Sequence, residues 1–131
     1  MKNYTKYLFY KYKDNARGED GFIDCYGLFL LIQKEIFGKD LPDFNGYDCG
    51  VKQNLNKNLS KSLINYPAKR IYAAIEGCGV VMESGGVDSH IGIYIGNNKI
   101  IHCSHKRNVI IEDIMEPHLK GRLKFYEILS I

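Results

Sequence analysis

The chain has 131 residues, 45% of them hydrophobic and 25% charged, with a formal net charge of +3. That length suits a single domain around one core, taken here as residues 1–131. So small a positive charge does not argue for nucleic acid, and no apolar run approaches the roughly 20 residues that a membrane-spanning helix needs.

The first stretch, Met1 to Lys13, is aromatic and basic (Tyr4, Tyr7, Leu8, Phe9, Tyr10, Tyr12) and predicts a short helix or strand that covers the core. It has no apolar segment of the kind a signal peptide carries, so none is expected, and a protein working outside the cell would need another carrier. Asp14 to Asp20, with Gly18, reads as a loop. The run Gly21-Phe22-Ile23-Asp24-Cys25-Tyr26-Gly27 then opens into the apolar stretch Leu28–Phe37. Leu28, Leu31, Ile32 and Ile36 fall at helical spacing, which predicts a mostly buried helix. Asp24 stands where an N-cap belongs and Gly38 where the C-cap belongs. Cys25 therefore falls in the first turn, where unpaired N–H groups and the helix dipole favour a thiolate. By position alone, a Cys at the start of a core helix reads more often as a small buried hydrophobe.

Pro42 ends the exit turn. Leu55, Leu59 and Leu63 predict a thinly amphipathic helix over Val51–Asn65, closed by Pro67. Ile71–Ile75 is a short element of either type. From Gly79 onward the pattern is that of strands: Val80–Met82, His90–Ile95, Lys99–Cys103, Val109–Ile111 and Leu123–Leu129, with loop signals at Gly85-Gly86 and Gly96-Asn97-Asn98. Helices first and an antiparallel meander second predict an α+β fold with a segregated sheet.

The four cysteines, Cys25, Cys49, Cys78 and Cys103, are too sparse for a disulfide framework and read as free thiols. Cys49 reads as a loop residue, Cys78 as buried and inert, and Cys103 as facing away from His102 by strand alternation. His105 and His118 read as surface residues, and a metal site built on His102, Cys103 and His105 is disfavoured because residues three apart on a strand point to opposite faces. The Lys-rich stretch around Lys52, Lys57, Lys61, Lys69 and Arg70 reads as a solvated face.

His90 and His102 sit on successive strands, and the turn decides whether they meet. A two-residue turn at Asn97-Asn98 sets Ile93 against His102 and turns His90 to the other face. A three-residue turn sets Gly92 against His102, and the two imidazoles then share a face as diagonal neighbours. Both registers are compatible with the sequence.

Taken in order, Asp24-Cys25-Tyr26-Gly27-Leu28, Gly38-Lys39-Asp40-Leu41-Pro42, His90-Ile91-Gly92-Ile93-Tyr94-Ile95-Gly96 and Ile101-His102-Cys103-Ser104 resemble the NlpC-type cell-wall cysteine peptidases. They are most similar to the phage and prophage tail-associated branch, where Asp-Cys-Tyr-Gly-Leu is a usual spelling. The resemblance implies a minimal papain-like α+β fold. It implies Cys25 as nucleophile, His90 as base and His102 as the group that orients it. Tyr12, with Tyr10 as the alternative, would line the site near the oxyanion, and Asp24 and Ser89 are the implied substrate contacts. The implied substrate is a peptidoglycan stem peptide, cut between γ-D-glutamyl and a diamino acid, with no metal or organic cofactor. Phage tail proteins are the implied partners.

The sequence departs from the family pattern at three places. Lys13-Asp14-Asn15-Ala16-Arg17-Gly18 replaces the usual Trp-Gly-Gly, Gly79 is followed by Val80 rather than Asp, and Cys103 stands where Ala is usual. Two rival readings are a same-fold acyl hydrolase or transferase on a non-wall substrate, and a non-catalytic tail-assembly protein. A disulfide at Cys25 would speak for the latter.

Overall fold

The computed structural model describes residues 2–43, 68–84 and 87–129, with the backbone alone for 84 and 87–89. The helix expected over Val51–Asn65, the loop reading of Cys49 and the loop at Gly85-Gly86 lie outside the described residues.

The aromatic N-terminal stretch forms a 3-10 turn, Thr5–Phe9, followed by the short strand β1, Lys11–Tyr12. Tyr7 anchors the turn: it is fully buried and its hydroxyl donates to Glu35 at 2.8 Å. β1 pairs in parallel with β2, Phe22–Ile23, and the chain then enters helix α1, Cys25–Glu35.

Helix α1 begins where the sequence places it. Asp24 is extended, and its Oδ1 accepts the Gly27 N–H at 2.6 Å, which satisfies one of the first-turn donors. Gly27 is required by packing, because a Cβ there would lie 2.4 Å from the Ala16 carbonyl oxygen. The helix stops at Glu35, two residues short of Phe37, and Gly38 turns the chain at φ 68°. It is the one α-helix among the described residues.

The remaining strands form one antiparallel sheet: β3 (Ala68–Ile71), β4 (Gly79–Ser84), β5 (Val87–Gly96), β6 (Lys99–Ser104), β7 (Asn108–Asp113) and β8 (Leu123–Ile128). The order across the sheet is β3-β8-β4-β5-β6-β7. The expected meander holds from β4 to β7. β8, however, returns to pair with β4 and separates it from β3. One face carries Ile91, Ile93, Ile101, Cys103 and Val109, which pack with Leu28, Phe29 and Ile32 of α1. The other carries Val80, Met82 and Ile100, covered by Leu119.

The β5–β6 hairpin combines the two registers left open by the sequence. Asn97 and Asn98, at φ 51° and 61°, make a two-residue turn closed by Gly96 against Lys99. A bulge between Tyr94 and Gly96 then shifts the pairing, so that Ile93 faces Ile101. Below the bulge the register is the one that sets Gly92 beside His102.

Candidate active site

Alternation along β5 and β6 brings His90 and His102 onto one face, beside Met82. His90 Nε2 lies 2.8 Å from His102 Nδ1, with ring centroids 4.9 Å apart and planes at 79°. Gly92 makes room for them: a Cβ there would lie 3.0 Å from the His102 Cβ. His102 Nε2 in turn lies 2.9 Å from Glu112 Oε1 on β7. Glu112 also accepts from Arg107 Nη2 at 2.7 Å, and its other oxygen meets His118 Nε2 at 2.6 Å.

This network sets the charge state. Burial pushes the His90 imidazole down to about 3, helped by His102 and Arg122. Burial also lowers His102, against the pull of the Glu112 carboxylate. Glu112 itself is held below the usual carboxylate range, because its contacts to His102, His118 and Arg107 outweigh burial. Both imidazoles are therefore neutral at pH 7 in this form.

Leu28, Phe29 and Ile32 of α1 pack on the opposite face of the sheet. What the helix brings to this end of the sheet is its N-terminus, where the Cys103 thiol donates to the Ile23 carbonyl at 3.5 Å. The structure thus joins His90 to His102 and sets Cys25 at the same end of the sheet. Cys25 is 1% exposed and disulfide-bonded, while Cys78 and Cys103 are free. The expectation of a free thiol is corrected at Cys25. A helix N-terminus favours the thiolate, and the thiolate is the form that exchanges into disulfides.

Asp24 is completely buried. Besides the Gly27 N–H, its oxygens accept from Arg17 Nη1 at 2.8 Å and from the Asn15 N–H at 3.1 Å. Burial pushes its carboxyl up, and these bonds oppose the rise. The implied substrate contact is thus a carboxylate turned inward onto its own chain. Ser89 lies in β5 next to His90. Tyr12 donates from its backbone N–H to Asn108 Oδ1 at 2.9 Å and from its hydroxyl to Asp14, and its ring meets His105 edge-on at 5.1 Å. Tyr10 instead stacks on Tyr7, at 6.4 Å. His105 lines the same cavity of about 260 Å³ as His90, His102, Glu112, Arg107 and Arg122. Of Tyr10 and Tyr12, only Tyr12 has a ring contact with a residue that lines this cavity, His105.

Sequence reasoning missed Glu112 and Arg17. The signal for Glu112 was present, as an acid ending the apolar run Val109-Ile110-Ile111 on the face that alternation gives to Ile110, the partner of His102. Arg17 gave no signal, since it reaches Asp24 only through the loop's fold. Among the described residues no group of three or more His, Cys, Asp or Glu side chains is arranged to hold a metal ion. No helix of the described residues is long and apolar enough to cross a membrane.

Comparison with known proteins gives a consistent picture. The model of the NlpC/P60 family matches residues 9–126. The chain is 31% identical over 122 residues to the Escherichia coli K12 protein named murein DD-endopeptidase MepS/murein LD-carboxypeptidase, which covers 93% of this chain and 57% of that one. It is 24% identical over 115 residues to the probable endopeptidase NlpC homolog of Haemophilus influenzae, covering 88% and 53% respectively. The chain spans about half the length of the curated relatives it matches. Among solved structures, the NlpC/p60 domain of the peptidoglycan hydrolase SagA superposes with a TM-score of 0.60 at 17% identity, covering 97% of this chain and 92% of that one. A Staphylococcus aureus protein similar to lipoprotein, of the NLP/P60 family, gives a TM-score of 0.64 at 17% identity, over 96% and 39%. At that identity the likeness establishes the small α+β fold.

Proposed function

The chain belongs to the NlpC/P60 family, and from that premise we propose that it is a cysteine peptidase that cuts an amide bond in peptidoglycan stem peptides. The observation that carries the reading is the 2.8 Å contact of His90 with His102, at the sheet end that receives the N-terminus of α1. In this reading the reduced Cys25 gives its proton to His90, and the thiolate attacks the amide carbonyl. The developing oxyanion is met by the Cys25 backbone N–H. The amide C–N bond breaks, and His90 returns the proton to the leaving amine. A water that has lost its proton to His90 then hydrolyses the thioester and restores the thiol. His102 holds the His90 ring, and Tyr12 lines the oxyanion side.

The finer assignment is cleavage between γ-D-glutamyl and a diamino acid, which rests on resemblance. The name of the Escherichia coli relative points to a DD-bond as the competing site of cleavage. The Asp24-Cys25-Tyr26-Gly27-Leu28 spelling supports a place in a phage tail, with access to the wall through the particle, export or lysis. A non-catalytic reading is favoured by one observation, the disulfide at Cys25.

Digestion of purified muropeptides under reducing conditions, by wild type and Cys25→Ala, with products read by mass spectrometry, tests these readings together. Cleavage by wild type alone supports the peptidase and identifies the bond. A reduced, folded wild type that leaves every stem peptide intact overturns it and leaves the two rivals, which preferential labelling of Cys25 by a thiol reagent (acyl hydrolase or transferase) or its absence (non-catalytic protein) then separates.

A further inference from the structure

We propose that Glu112 is a positioning residue of this site: its carboxylate fixes a proton on His102 Nε2 and thereby decides which nitrogen of His90 is left basic. The catalytic consequence rests on the peptidase reading, but the tautomer assignment does not.

The argument follows the hydrogen bonds inward from Glu112. An ionised carboxylate only accepts. Glu112 is kept ionised by His102 from β6, Arg107 from the β6–β7 turn and His118 from the segment before β8. With Oε1 2.9 Å from His102 Nε2, the proton between them belongs to the imidazole. A neutral His102 then carries its lone pair on Nδ1. That atom lies 2.8 Å from His90 Nε2, which must therefore donate. The remaining nitrogen of His90, Nδ1, is the one left without a proton and able to receive one. Reversing the first bond reverses the whole chain, as each neutral ring has one donor and one acceptor.

Glu112 also has an electrostatic role. Arg107 and His118 stand close enough to His102 to disfavour a positive charge there, and Arg122 does the same for His90. The Glu112 carboxylate, its side chain only 9% exposed, offsets these cations where an imidazolium must form during turnover.

The test is ¹⁵N-histidine NMR on the reduced full chain, for wild type, Glu112→Gln and Glu112→Ala, with circular dichroism to verify folding. Wild type is expected to show His102 protonated on Nε2. Glu112→Gln, whose amide oxygen still accepts, keeps that tautomer, while Glu112→Ala loses its preference. On muropeptides, Glu112→Gln should lower kcat about ten- to a hundredfold with KM little changed. It should also move the alkaline limb of the pH profile to lower pH, since the imidazolium has lost its anion. Glu112→Asp should recover part of that limb. His102 protonated on Nδ1 in wild type, or a folded Glu112→Ala with unchanged tautomer, overturns the proposal whether or not muropeptides are cut. In an active enzyme, an unmoved pH limb in Glu112→Gln overturns the electrostatic part.

Discussion

Gly92 and His102 are packed against each other across the β5–β6 ladder so closely that a single added carbon at Gly92 would sit 3.0 Å from the His102 Cβ and 2.9 Å from the Ile101 carbonyl oxygen. The second of these neighbours is backbone, which cannot swing aside. Gly92→Ala should therefore cost about 1–3 kcal/mol of stability and spread the His90–His102 pair. Urea unfolding measures the first effect, and the His90 and His102 ring resonances report the second.

Arg17 and Asp24 form the next testable pair. Asp24 is fully buried, and among the described residues Arg17 supplies the one cation bonded to it. Arg17→Ala would leave a buried carboxylate without its counter-charge, at a cost of about 3–5 kcal/mol. Asp24→Asn, which keeps an oxygen for the Gly27 N–H, should cost less. Thermal melts of both variants check the order. If Arg17→Ala melts like wild type, Asp24 is held by its backbone donors alone.

Acid should unfold this protein earlier than its composition suggests. His90 is held down to about 3 in the folded chain against an ordinary 6.5. Between those values the unfolded chain binds a proton that the folded chain refuses. Stability is thus fully present above about pH 6.5 and is lost progressively as pH falls toward about 3. His102 shifts in the same direction and adds to the slope. Denaturant midpoints across this range should fall with pH, and His90→Asn should flatten the curve.

The cysteines should separate by chemistry once the protein is reduced. Burial pushes the Cys103 thiol up to about 12 and raises Cys78 as well. Cys25, released from its disulfide at the helix N-terminus, is favoured as thiolate. Iodoacetamide at mildly acid pH should label Cys25 before Cys78 or Cys103, and only after a reductant is added. Peptide mapping reads this directly, and labelling of Cys25 without reductant would contradict the oxidised state.

Local signals accounted for much of the molecule. The Asp24 cap, the start of α1 and the four strands from Gly79 to Asp113 all follow from spacing, because each depends on neighbours a few residues apart. The hairpin register was readable only as two alternatives. The sequence does not reveal that a tight Asn97-Asn98 turn would be offset by a bulge at Ile95. Long-range choices were illegible for a different reason. Nothing in Leu123–Ile128 says that it pairs with β4 rather than β7, and nothing in Arg17 says that the loop curls back onto Asp24. Glu112 was overlooked because an acid at a strand end usually faces solvent, and only the folded sheet reveals what surrounds it.

The place of β8 in the sheet bears on how this protein is made. β3 has β8 as its sheet neighbour, and β4 needs the same strand along one whole edge. A ribosome delivers Leu123–Ile128 after every other strand described here. Until then the emerging chain holds an unpaired β4 edge, which is a template for joining another copy. Nascent chains cut before Leu123 should aggregate rather than fold. Completion of the sheet, and with it of the wall that carries His90, therefore waits for Leu123–Ile128, the last of the described strands to leave the ribosome.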